Sequence, residues 1–396
     1  PHLEDHCFFR QPPNWPVLED RFPVVPMTLS IQWVMEVAQQ LADEQGQGLR
    51  VIGVKNVRAA KWIEIEPAQS VSVIANWRDD DYVNVDIIGH LSALVHLSST
   101  PPVHPNVTWA AQSDEQTPPL KAQAIYTSRW MFHGSAYQGI EDLIGISPTG
   151  IRGILRNDGV PGALLDNVGQ LFGLWVMLTQ SEDRVVMPVR LLNVEFFGPP
   201  PPIGDLLPCD VQIESVDRRE VKANMTLWHN HKVWAVFTGW SDWRFETSGQ
   251  LWSLMRYPER TLFAHTLMNG KGVTLTLAER ISTAASSREF LVGRCLNKKE
   301  RMEYRALSVH RQRDWLAGRI AAKDALRQWA WSRGVGTLFP IEIGVDQAVT
   351  DRPPQFDVEA LPQALQASYA LSITHSDGLA LAAMLHPERQ NGAIGV

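Results

Sequence analysis

Cysteine is scarce in this sequence. There are three in 396 residues, Cys7, Cys209 and Cys295, and no two stand at a spacing that suggests a pair or a metal site. A disulfide framework is therefore not expected, and the thiols are expected to be free in a reducing cytoplasm. Long apolar runs are missing as well. None approaches the ~18 residues that a membrane span requires, and no signal peptide is evident, so no membrane partner is expected. Basic runs are absent and the formal net charge is −7, which speaks against nucleic acid as a partner. What the chain has in quantity is apolar side chains, 44% of the total, with 15 Trp among them. That is ample for buried cores, and the length is that of two or three domains. A chain opening on Pro1 is expected to be a piece of a longer polypeptide.

One carboxylate stands inside an apolar helical pattern. Leu164, Leu165, Val168, Leu171, Phe172 and Trp175 recur at three- and four-residue steps around Asp166, as in a buried helix. Gln170 lies one turn further on the same face. Two readings stand. Asp166 can cap the helix start, or, unpaired and desolvated, it can have a raised pKa and act as a general acid near neutral pH.

Before it, Pro1 to Pro26 is irregular and Pro-rich and holds Asp5-His6. A helix is expected from about Met27 to Asp43, capped by Thr28 or Ser30. Strand-like runs follow at Leu49–Val54, Trp62–Glu66, Val71–Trp77 and Tyr82–Ile88. Pro101 to Pro119 is a polar connector. The plan then repeats: an irregular segment, Phe132-His-Gly-Ser-Ala-Tyr-Gln-Gly139, a strand near Gly150–Arg156, the Asp166 helix, then strands near Arg190–Phe196, Leu207–Val216, Val221–Trp228 and Val233–Asp242. One long helix across a curved antiparallel sheet, occurring twice, is an α+β arrangement.

Glu246 to Glu289 reads as a linker with some helix, and Phe290–Leu296 as a strand. Lys298 to Ser332 is strongly helical, with Trp315, Ile320, Ala325, Leu326 and Trp329 on its apolar face. Strands are expected at Ile341–Val345, Tyr369–Thr374 and Leu379–Leu385. Arg319 and Lys323, four apart on the helix, can point at one anion. Asp351-Arg-Pro-Pro354 offers another cation, and Ser372-Ile-Thr-His375-Ser-Asp-Gly378 runs from a strand into a polar turn.

A His base and a carboxylic acid, one from each half of a duplicated fold, are what β-elimination from a 3-hydroxyacyl thioester requires. Asp5-His6 followed by Pro23-Val-Val-Pro26, the Phe132–Gly139 segment and Leu165-Asp166-Asn-Val-Gly-Gln170 resemble, in order, three motifs of the dehydratase domains of type I polyketide synthases, which have a double-hotdog fold. Trp240-Ser-Asp-Trp-Arg-Phe245 resembles the closing strand of iterative members. The resemblance places the catalytic pair on His6 and Asp166, with Gln170 orienting the acid, and implies no cofactor for dehydration. His6 to Pro26 lacks the family's Gly and is longer than its motif, which implies an insertion around Gln11–Arg21.

The C-terminal motifs resemble the N-terminal half of a 4′-phosphopantetheinyl transferase of the larger, pseudo-dimeric type. That resemblance implies coenzyme A held by Arg319, Lys323, Arg352 and His375, and Mg²⁺ in the complete enzyme. The acidic metal motif would follow Val396, so no metal ligands are assigned, and this half alone is expected not to transfer phosphopantetheine. A dehydratase followed by such a transferase resembles the end of an iterative synthase of the enediyne type.

The expected fold is thus α+β, a double-hotdog dehydratase plus a transferase half-lobe. The expected boundaries are 1–115 and 116–250 for the hotdogs, 251–285 for a linker and 286–396 for the transferase part. Expected partners are an acyl carrier protein bearing a pantetheine-tethered substrate, other domains of the synthase, and a second copy in a homodimer. A product-template-like cyclase and a non-catalytic carrier-docking or dimerisation scaffold are the competing readings.

Overall fold

A computed structural model of the chain describes residues 2–8, 12, 14–46, 48–346 and 353–387. The chain forms two compact units. The first comprises Pro1–Arg10 and Arg21–Phe245, the second Gln11–Asp20 and Glu246–Val396.

The first unit runs β1 (Val24–Val25), α1 (Met27–Glu44), β2 (Arg50–Ala59), β3 (Ile63–Glu64), β4 (Val73–Asp79), β5 (Tyr82–Ile87) and β6 (Leu91–Ser98). It continues through α2 (Ala122–Thr127), β7 (Ile140–Ser147), β8 (Gly150–Arg156), α3 (Ala163–Thr179), β9 (Val185–Phe196), β10 (Leu206–Val216), β11 (Glu220–His229) and β12 (Lys232–Phe245). Ten of these strands form one antiparallel sheet in the order β4-β5-β6-β2-β9-β12-β11-β10-β8-β7. Its two halves join where β2 pairs with β9, Val54 opposite Val194 and Val57 opposite Leu191. Helix α1 packs on β2, β5 and β6, and α3 on β8 and β9. A long helix wrapped by half of a continuous sheet, twice over, is a double hotdog.

Side-chain alternation drives the wrapping. In β5, Val83, Val85 and Ile87 are buried while Asn84 and Asp86 face solvent, as in a strand with one wet face. Val168, Leu171, Phe172 and Trp175 of α3 are all buried, each contributing about 1.5–3 kcal/mol. The start of α1 differs from expectation. Pro26, already extended with φ −63° and ψ 147°, occupies the cap position, and no side chain caps the helix. Thr28 and Ser30 are buried within its first turn; Ser30 Oγ lies 3.4 Å from the Pro26 carbonyl oxygen.

The second unit holds α4 (Gly249–Arg256), β13 (His265–Gly270), β14 (Val273–Ala278), α5 (Ala285–Cys295), α6 (Lys298–Ala306), α7 (Val309–Ser332), β15 (Val345–Asp346), β16 (Gln355–Phe356), β17 (Ala370–Ser376) and β18 (Leu379–Leu385). The sheet β13-β14-β18-β17 lies against α7. Two expectations are corrected here. Residues 251–285 are not a linker, because β13 and β14 are half of this sheet. Phe290–Leu296 is not a strand, because Phe290 to Cys295 end α5, whose Leu291, Val292 and Cys295 are buried. The insertion after His6 also belongs to this unit: Trp15 packs with Phe339 and Ile341, and Arg301 grips both carboxylate oxygens of Asp20 at 2.6 Å. No helix among the described residues is long and apolar enough to cross a membrane.

Candidate active site

His6 follows a 3-10 turn, His2–Asp5. The Val24 amide donates to the His6 carbonyl at 3.1 Å, and His6 Nδ1 lies 2.9 Å from the Val24 carbonyl oxygen. A carbonyl only accepts, so Nδ1 carries the proton and Nε2 presents its lone pair in the neutral ring. That Nε2 is 3.9 Å from Asp166 Oδ1, although 160 positions separate the two residues in sequence.

Asp166 lies in the first turn of α3 and is not its cap; the cap is Gly162, with φ +76°. A β-carbon on Gly162 would stand 2.7 Å from Leu29 Cα, so glycine alone lets α3 start against α1. The Gly162 amide donates to Gln32 Oε1 at 2.7 Å. Thr28 Oγ1 donates to Asp166 Oδ1 at 3.4 Å, and Gln170 Nε2 to Asp166 Oδ2 at 2.8 Å. Gln170 is itself fixed, accepting from the Tyr126 hydroxyl at 3.0 Å and donating to the Tyr137 carbonyl at 2.8 Å.

A third side chain joins that was given no role from sequence. His133 Nε2 stands 3.2 Å from Asp166 Oδ2, and His133 is buried. Its segment is clamped to the turn before His6. The Ser135 hydroxyl and the Ala136 amide donate to Asp5 Oδ2 at 3.1 and 2.9 Å. A β-carbon at Gly134 would fall 2.1 Å from Asp5 Oδ1. A His beside a Gly in the segment opening the second half was the available signal.

Burial pulls the His6 pKa down to about 4, with His133 adding to the fall and Asp166 opposing it. Burial pushes Asp166 up, but the adjoining His133, then His6 and the Gln170 amide outweigh it and hold the carboxyl below the usual carboxylate range. The expectation of a carboxyl protonated near neutral pH is therefore corrected: desolvation acts as anticipated, and the imidazoles reverse it. The Tyr137 hydroxyl is buried and makes no hydrogen bond to a described residue; its ring centroid is 5.4 Å from that of His6.

In the second unit the four anticipated cation-site residues part company. Arg319 is 2% exposed, with its guanidinium 4.4 Å from the Trp315 ring centroid and with Nε and Nη2 unbonded among the described residues. His375 on β17 comes close to the same turn of α7, its Nε2 2.8 Å from where a β-carbon on Gly318 would be. Lys323 is a correction. Its ammonium is fully buried, bonded to Glu300 Oε2 and the Cys295 carbonyl at 2.5 Å each, so it is neutralised inside the fold. Arg352 lies outside the described residues.

The first unit is thus a double hotdog enclosing a cluster of two buried His and the half-buried Asp166. No family model matches the chain. Its C-terminal region is 31% identical over 123 residues to a holo-[acyl-carrier-protein] synthase of Exiguobacterium sibiricum, covering 31% of this chain and 91% of the relative. It is 33% identical over 119 residues to the holo-[acyl-carrier-protein] synthase of Bacillus subtilis, covering 29% and 93%. Through this region the chain belongs to the holo-[acyl-carrier-protein] synthase family. Similar solved structures include the dehydratase domain from the CurJ module of curacin polyketide synthase (16% identity, TM-score 0.46, 62% of this chain and 88% of that one). Another is the dehydratase domain of RzxB from Pseudomonas fluorescens (12% identity, TM-score 0.45, 59% and 92%).

Proposed function

We propose that the first unit dehydrates 3-hydroxyacyl chains carried on an acyl carrier protein, giving 2-enoyl thioesters. The observation that carries this reading is the His6 lone pair, tautomer set by Val24, facing Asp166 at 3.9 Å. His6 Nε2 takes the Cα proton. The C–H electron pair becomes the Cα=Cβ bond as the Cβ–O bond breaks, and the departing hydroxyl leaves as water on a proton delivered through the Asp166 carboxylate, whose Oδ2 faces His133 Nε2. Gln170 orients the acid, and the free Tyr137 hydroxyl is a donor for an incoming substrate oxygen. The test is incubation of the full chain with 3-hydroxyacyl-pantetheine. Formation of the 2-enoyl thioester is expected. Cyclisation of a poly-β-keto analogue without any enoyl product would favour a product-template-like cyclase, because fold does not fix reaction. Inertness toward both would favour a carrier-docking or dimerisation scaffold.

The second unit, in this reading, supplies the coenzyme A site of a carrier-protein phosphopantetheinyl transferase, with Arg319 and His375 on the phosphates. A buried guanidinium with two unbonded donors is poised for an anion. Among the described residues of this unit no three His, Cys, Asp or Glu side chains converge on one point. Arg319→Ala should weaken coenzyme A binding at least tenfold by calorimetry; unchanged affinity would remove Arg319 from the site. The tandem order suits an iterative, enediyne-type synthase in antibiotic biosynthesis, working in the cytoplasm as a homodimer beside its other domains.

A further inference from the structure

We propose that His6, His133 and Asp166 also form a binding site for a divalent transition metal, Zn²⁺ foremost, whose occupancy shuts the dehydratase. The binding half of this inference stands on geometry alone; the inhibition rests on the reading above. Each of the three residues offers one ligand atom, and all three atoms lie within 4.8 Å of one another. The two distances to the Asp166 carboxylate are 3.9 and 3.2 Å. Tetrahedral zinc, with bonds of about 2.0–2.2 Å, sets its ligand atoms roughly 3.3–3.6 Å apart. Closing a gap of 4.8 Å to that spacing takes an inward movement of roughly 1.2–1.5 Å, shared between the two side chains.

The surroundings match what such a site needs. His6 already donates Nδ1–H to the Val24 carbonyl, the outer hydrogen bond that orients a ligating imidazole and leaves Nε2 for the metal. Gln170 and Thr28 hold the carboxylate in the same manner. His6 and His133 are 5% and 4% exposed, so ions drawn only to surface charge are screened out. Two nitrogens and one carboxylate suit Zn²⁺, Co²⁺ or Ni²⁺ and are poor ligands for Mg²⁺ or Ca²⁺. Three protein ligands leave one position open. A metal seated there takes the lone pair of the base and the oxygens of the acid at once, so the elimination loses both proton carriers.

The test titrates Co²⁺ into the full, tag-free, chelator-treated chain. One ion per chain is expected, with the visible absorption of tetrahedral cobalt, discharged by Zn²⁺. His133→Gln and Asp166→Asn should each weaken binding at least tenfold, whereas His229→Gln, at a surface His–Asp pair, should not. Should a variant fail to fold, X-ray absorption at the zinc edge of the wild-type chain still decides. Two imidazoles and oxygen ligands are expected; a thiolate, or fewer than two imidazoles, overturns the site. Stoichiometric zinc that leaves turnover unchanged overturns the inhibition. A metal-free chain that binds cobalt as described but never dehydrates would instead count against the dehydratase reading.

Discussion

Asp166→Asn lowers dehydration of 3-hydroxyacyl-pantetheine by about 10²–10⁴-fold, the usual worth of a positioned acid–base group. The amide keeps the shape of the carboxylate and can still meet Thr28 and Gln170, so the melting temperature should change little. What it loses is the carboxylate oxygen that faces His133 Nε2 at 3.2 Å, and with it the group that passes a proton to the departing hydroxyl. The pH profile carries a second readout. His6 must be unprotonated to act, and burial puts its pKa at about 4, so the acid limb of kcat/KM should fall near pH 4 rather than at the 6.5 of a free imidazole. Asp166 raises that pKa, and removing its charge should move the limb lower still; His133 depresses it, and His133→Gln should move the limb upward. Full-rate turnover by the Asn variant would end the assignment.

Glu300→Ala destabilises the second unit by about 3–5 kcal/mol, because it leaves the Lys323 ammonium buried without its counter-charge. Glu300 does three jobs at once. Its Oε2 meets Lys323 and closes a capping box by accepting from the Asn297 amide at 3.0 Å. Its Oε1 accepts from the Val345 amide at 3.1 Å. At roughly 2–4 °C per kcal/mol for a unit of this size, calorimetry should show the melting of this unit fall by about 10 °C. Lys323→Met in the same chain should recover part of the loss, since the stranded charge is then gone. A single variant that melts with the wild type would mean that Lys323 reaches water.

The two central helices and most of the large sheet were legible because their patterns match their surroundings. Val83, Val85 and Ile87 alternate as a half-wet strand must. The failures have particular causes. Phe290–Leu296 is a short apolar run, which periodicity alone cannot assign to strand or helix. β14 looked like linker because its polar positions point inward: Thr274 and Thr276 are buried, and Thr276 Oγ1 donates to the Ala321 carbonyl at 2.7 Å. Asp166 was legible as a carboxylate on an otherwise apolar helix, where it is half-buried, and Gln170 as its neighbour. The sign of its pKa was not, since that depends on His133, 33 positions away in sequence. Arg319 and Lys323 share a helix face by spacing. Small neighbours, Ala317, Gly318, Ala321 and Ala322, sink α7 so deeply that Lys323 finds its partner within the fold.

The stretch Gln11–Asp20, grouped with the second unit while the residues on either side belong to the first, bears on how such a protein can be recombined. The chain enters the second unit twice, so no single crossover exchanges one unit intact. A swap at Phe245 alone would carry Trp15 and Asp20 away from Phe339, Ile341 and Arg301, stranding an indole in water on one product and an unpaired guanidinium on the other. Transplanting either unit between synthases calls for two junctions, with the ten-residue excursion travelling with the C-terminal partner.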